Sequence, residues 1–152
     1  MNKVFLSFSV VLLSLLLACN SNENAGAPPA NVKTDSANFT QVQWMDSSVN
    51  FGTRTKGELV HIQYVCKNVG NKPLFIYYVR PSCGCTVADY TKAAIAPGKT
   101  GEINAVYDSN HGIAGEIRKT ISVETNTTNP SPRLMFFGTV KDTTSNKITT
   151  AK

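Results

Sequence analysis

After residue 39 no stretch of this 152-residue chain repeats its apolar side chains at a helical period. That excludes a parallel sheet whose strands alternate with helices. Short catalytic signatures are missing too: no glycine loop to cradle a phosphate, no His-Glu-x-x-His and no nucleophile elbow. Asp89, Glu102 and Asp108 are scattered, with no pairing that spacing establishes. Histidine is scarce, with only His61 and His111. The formal charge is +5, but the basic residues form no run interleaved with aromatics, so nucleic acid is not an expected partner. These absences point away from an enzyme.

One apolar run stands out, and it is short. "MNKVFLSFSVVLLSLLLAC" places Lys3 before an apolar stretch from Val4 to Ala18, under the roughly 20 residues that span a bilayer. Charge, apolar run and a small residue before cysteine read as an export signal over residues 1–18. Leu16-Leu17-Ala18-Cys19 resembles the bacterial lipobox. The resemblance implies cleavage before Cys19, diacylglycerol on its thiol and a palmitate-type acyl chain on its amine. The expected site is therefore the bacterial cell envelope, lipid-anchored on the periplasmic or cell-surface side. Residues 19–38, rich in Asn, Ala, Pro and Gly, bury too little apolar surface to offset ordering and read as a flexible tether. Asp35-Ser36-Ala37 in that tether resembles an O-glycosylation acceptor of Bacteroidetes, with Ser36 as the modified residue.

From Phe39 to Lys141 the pattern is that of strands. "ELVHIQYVCKN" sets Val60, Ile62, Tyr64 and Cys66 on one face, against His61, Gln63 and Lys67 on the other. "LFIYYVR", "TVADY", "EINAVYD", "EIRKTISVET" and "RLMFFGTV" follow, separated by "VGNKP", "IAPGKTG", "HGIAG" and "NTTNPSP". "FTQVQWMDSSVNFGT" reads as an irregular first strand with Trp44 and Phe51 facing the core. About seven short strands in about 100 residues predict an all-β, immunoglobulin-like antiparallel sandwich over residues 39–141. Residues 142–152 read as a polar tail that frays.

Five ordered motifs then carry a resemblance. They are the early Phe-Gly, the Asn-x-Gly turn before an apolar strand, Ser-Cys-Gly-Cys-Thr, Pro-Gly-Lys, and the late Lys-Thr-Ile…Asn, spanning roughly Val49 to Val140. Together they resemble the bacterial domain of unknown function 1573. The resemblance implies an Ig-like sandwich on secreted proteins or lipoproteins, notably in Bacteroidetes, with no reaction and no agreed ligand. The expected role is a non-catalytic binding or structural module facing an envelope protein or glycan.

The cysteines pose the remaining question. With Cys19 lipidated, Cys66, Cys83 and Cys85 remain. The strand "EIRKTISVET" has no cysteine to bridge to Cys66, and the turn after Cys66 puts the pair about 25 Å away along the next strand. A disulfide needs Cα atoms within about 7 Å, so Cys66 is expected free and buried. Cys83 and Cys85, with Gly84 supplying an unusual backbone conformation, have three readings: a strained disulfide or loop cap, a Cu(I) or Zn(II) site, or a thiol-redox centre. The structural reading stands first, with no cofactor; a soft-metal or redox accessory protein is the alternative. In an Ig-like sandwich "LFIYYVR" runs antiparallel to "EIRKTISVET", which brings the loop "DSNHGIAGE" toward the pair and offers His111 as a third ligand or a base.

Overall fold

A computed structural model describes residues 36–128 and 133–142. The leader, Cys19, the tether before Ser36 and the tail beyond residue 142 lie outside the described residues. Within them the chain forms eight strands: β1 (Val42–Trp44), β2 (Ser48–Thr55), β3 (Leu59–Asn68), β4 (Ile76–Pro81), β5 (Thr86–Tyr90), β6 (Thr100–Asp108), β7 (Gly115–Thr125) and β8 (Leu134–Lys141). They make two four-stranded sheets, β1-β3-β6-β5 and β2-β8-β7-β4. The sandwich is the one expected, with one strand more than the pattern suggested.

That extra strand comes from the irregular first segment. Met45 N donates to Val65 O in the first sheet, while Ser47 O accepts from Met135 N in the second. The chain therefore changes sheets within three residues. Across the gap, β2 lies beside β8, a strand far away in sequence, and the two run parallel. The other strand pairs are antiparallel.

Strict alternation fills the core. Val60, Ile62, Tyr64 and Cys66 of β3 and Ile103, Ala105 and Tyr107 of β6 face Ile117, Ile121, Val123, Leu134, Phe136 and Val140 of the second sheet. Phe51 is buried, and Trp44 packs half-buried against the same cluster. The rings of Phe51, Tyr107 and Phe136 lie 5.6 to 6.3 Å apart and tilted, the favoured aromatic geometry. Cys66 is free and buried, and burial pushes its thiol up from the ordinary value. The buried Tyr64 hydroxyl has no hydrogen-bond partner among the described residues. Tyr64→Phe is accordingly expected to raise stability by about 1 kcal/mol, read from the urea midpoint at unchanged slope.

Two buried asparagines hold the loops. Asn68 Nδ2 donates to the carbonyls of Lys72 and Ile95, both at 2.8 Å, and its Oδ1 accepts from Thr40 Oγ1 at 3.0 Å and Gly70 N at 3.1 Å. A Cβ on Gly70 would collide with Thr40 Oγ1 and sit 2.6 Å from Gln41 N, so the Asn-x-Gly turn needs its glycine. Asn126 Nδ2 donates to Asn38 O at 2.8 Å and Pro73 O at 2.9 Å, and its Oδ1 accepts from Phe75 N at 2.7 Å. Gly98 of the Pro-Gly-Lys turn has φ +79°, which favours glycine.

The candidate functional site at the Cys-Gly-Cys turn

β4 and β5 are edge strands of different sheets, and residues 82–85 carry the chain from one sheet to the other. Both ends of this turn are clamped. Ser82 N donates to Thr120 O at 2.8 Å and Ser82 Oγ accepts from Thr120 N at 3.1 Å, which fixes the entry to β7. Cys85 O accepts from Asp108 N at 2.9 Å, which fixes the exit to the end of β6. Between these clamps Cys83 and Cys85 are joined as a disulfide, with Cα atoms 5.2 Å apart.

The two sulfurs have unlike surroundings. Cys83 lines an open concavity of about 530 Å³ with Arg80, Pro81, Ser82, Gly84 and Ser122. Its Sγ lies 3.6 Å from Thr86 Oγ1. A disulfide sulfur carries no hydrogen, so the buried Thr86 hydroxyl is the donor. Cys85 packs against the hydrophobic core instead.

Gly84 departs from the expectation of an unusual backbone. It is not among the glycines with positive φ, and a Cβ there would meet nothing within 4 Å. Neither conformation nor packing requires a glycine here, since a Cβ would point into open space. As a staple the bridge is weak. Closing a three-residue loop removes little unfolded-state entropy, about 1.5 kcal/mol by the chain-entropy relation. The double replacement Cys83→Ser with Cys85→Ser is expected to cost about 1 to 2 kcal/mol in denaturant unfolding and to leave the fold intact.

The topology brings the β6–β7 loop to the disulfide, as the Asp108–Cys85 hydrogen bond records. His111 itself turns onto Asp108, with Nδ1 2.8 Å from Oδ2. The Asn110 N–H, and then the His111 ring, hold the Asp108 carboxyl below its ordinary pKa. Among the described residues no three His, Cys, Asp or Glu side chains come together as a metal set. Cys83, Cys85 and His111 are thus not grouped as ligands: the sulfurs are bonded to each other and the imidazole is taken by Asp108. His61 lies exposed in mid-strand. Ser36 is exposed in a short 3-10 turn, Ser36–Asn38.

Sequence reasoning missed the neighbouring surface. Cross-strand partners share a face. The pairings Val87–Val106–His61 and Leu59–Asp108 therefore put Val87, the half-buried Val106, His61 and Leu59 on the outer face of the first sheet, at the disulfide end. Val87 is 74% exposed and Leu59 59%, and Ile113 in the adjoining loop is 85% exposed. The signal was available: Val87 is an apolar residue on the face that Asp89 marks as outward. Farther along the same face the surface turns polar, where Gln63 Nε2 donates to Glu102 Oε2 at 2.7 Å and Asn104 Oδ1 at 3.1 Å.

Comparison with known proteins agrees with the fold. Residues 42–140 match the family described as protein of unknown function, DUF1573. The sequence matches no curated protein. A solved protein of unknown function from Porphyromonas gingivalis W83 superposes with TM-score 0.60 at 20% identity, covering 69% of this chain and 49% of that one. The PapD-like domain 7 of human CEP192 superposes at 0.54 with 12% identity, over 68% of this chain and 87% of that one. A family 123 glycoside hydrolase from Clostridium perfringens gives 0.54 at 7% identity, over 68% and 28%. At these identities the likeness is one of fold, an Ig-like and PapD-like sandwich. The chain spans about half the length of the Porphyromonas protein.

Proposed function

The chain belongs to the DUF1573 family, and from that premise we propose that it is a lipid-anchored lipoprotein of the bacterial cell envelope whose sandwich is a non-catalytic binding module. The observation that carries the binding role is the pair of exposed aliphatic side chains Leu59 and Val87 on the outer face of the first sheet, with the half-buried Val106 beside Val87 on that face. Contiguous exposed apolar surface rimmed by polar groups marks interaction sites. Aliphatic side chains with no aromatic platform among them favour a protein partner over a glycan, since sugar rings are bound largely by stacking and hydrogen bonds. The partner is therefore an envelope protein presenting an apolar surface of its own.

The lipobox-like Leu16-Leu17-Ala18-Cys19 supports the anchor. Each buried methylene contributes about 0.8 kcal/mol, and several chains on one residue hold a protein stably at a membrane. Expressed in a bacterium with lipoprotein export, the full chain is expected in the detergent phase of a Triton X-114 partition. Its N-terminal peptide should begin at an acylated Cys19. The Cys19→Ser variant should move to the aqueous phase. Wild-type protein in the aqueous phase with an unmodified N-terminus would overturn the anchor.

A further inference from the structure

Ser-Cys-Gly-Cys-Thr is the one family motif that scaffold duties do not account for. Its disulfide closes too small a loop to act as a strong staple. Gly84 is dictated neither by backbone conformation nor by packing. The two sulfurs are differentiated: Cys83 lines the concavity with Arg80 and receives the Thr86 hydroxyl, while Cys85 is backed by the core. Directional thiol exchange needs that asymmetry, with one sulfur reached from outside and the other held back to close the bridge again. The half-buried bridge is reached from that concavity.

We propose that Cys83–Cys85 is a thiol–disulfide exchange site that oxidises a dithiol on another protein, with Cys83 as the attacked sulfur. A substrate thiolate, its proton lost to solvent, attacks Cys83 Sγ from the concavity. The Cys83–Cys85 bond breaks, its electron pair passes to Cys85 Sγ, and Cys85 takes a proton from water. A mixed disulfide now joins the substrate to Cys83. The second substrate thiolate attacks the substrate sulfur of that bond, and the electron pair leaves on Cys83 Sγ. The Thr86 hydroxyl and the positive charge of Arg80 favour the departing thiolate, which is then protonated. Two electrons pass from the substrate dithiol to the cysteine pair. Two protons leave the substrate thiols and two are taken up by Cys83 and Cys85, so the step balances. This chemistry stands apart from the anchor and the docking surface, so it is tested without either.

Dithiothreitol serves as the probe dithiol, with the full chain in detergent at neutral pH. Alkylation and peptide mass spectrometry count Cys83 and Cys85 separately from Cys19 and Cys66. The expected result is complete reduction of the bridge while the circular dichroism spectrum stays native. In single variants, Cys83 of Cys85→Ser should form a mixed disulfide with oxidised glutathione about tenfold faster than Cys85 of Cys83→Ser. Adding Thr86→Val should slow Cys83 and shift its alkylation profile to higher pH, and Thr86→Ser should restore it. Reduction only where the protein unfolds would overturn the proposal, as would equal rates for the two single variants.

Discussion

Asn126→Ala is expected to lower the unfolding free energy by about 4 kcal/mol. Asn126 stands just after β7 and is fully buried. Its amide satisfies three backbone groups from two other segments, the carbonyls of Asn38 and Pro73 and the N–H of Phe75. Alanine supplies none of these, and each buried group left unpaired costs about 1 to 3 kcal/mol. Water entering the vacated space recovers part of that sum. Asn126→Asp is expected to be no better at neutral pH. It keeps the acceptor for Phe75 but sets a charge against two carbonyl oxygens. Chemical denaturation of each variant decides the matter, and a loss under 1 kcal/mol for Asn126→Ala would show that the loops hold without it.

Gly138→Ala is expected to cost about 3 kcal/mol. Gly138 lies opposite Gly52 in the parallel β2–β8 pairing. A Cβ there would fall 2.5 Å from the Gly52 carbonyl oxygen, and 2.5 and 2.6 Å from two ring carbons of Phe51. Phe51 cannot yield cheaply, because its ring is packed against Tyr107 and Phe136. Overpacking of this kind typically costs about 1 to 3 kcal/mol, and contact with backbone puts it at the upper end. Gly84→Ala is the matched control, since its Cβ would meet nothing within 4 Å. A change of about 0.5 kcal/mol or less is expected there. Equal losses at the two positions would contradict the packing described.

These residues show how much was legible in the chain alone. The period-2 alternation of β3, β6 and β7 placed Val60, Ile62, Tyr64, Ile103, Tyr107 and Ile121 in the core, because alternation follows directly from strand geometry. The freedom of Cys66 followed from chain length and the lack of a cysteine on β7. The sheet change at Met45–Ser47 was not legible, since both halves of that segment alternate equally well and only tertiary pairing separates them. The parallel β2–β8 contact was hidden for the same reason: strands distant in sequence leave no local mark of their orientation. At the candidate site, the Cys83–Cys85 turn and the approach of the β6–β7 loop were visible from spacing and topology. The capture of His111 by Asp108, the Thr86 hydroxyl on Cys83 and the open side at Gly84 depend on side-chain placement that spacing does not encode.

Four of the five motifs now have a structural cause. Phe51-Gly52 forms the register shift within β2, with Gly52 at φ +74°, and Asn68-x-Gly70 ties the β3–β4 turn. Pro97-Gly98-Lys99 turns into β6, and the late Asn126 ties the loops beyond β7.

Photo-crosslinking from position 87 of the full chain in intact cells tests the binding role most directly. A photoreactive residue there should give one discrete protein adduct, absent when the same residue stands at Glu124 on the outer face of the other sheet. The adduct should disappear when Leu59→Asp is added and when Cys19→Ser releases the anchor. No adduct, a glycan adduct, or equal adducts from both faces would contradict a lipid-anchored module that binds a protein through this surface.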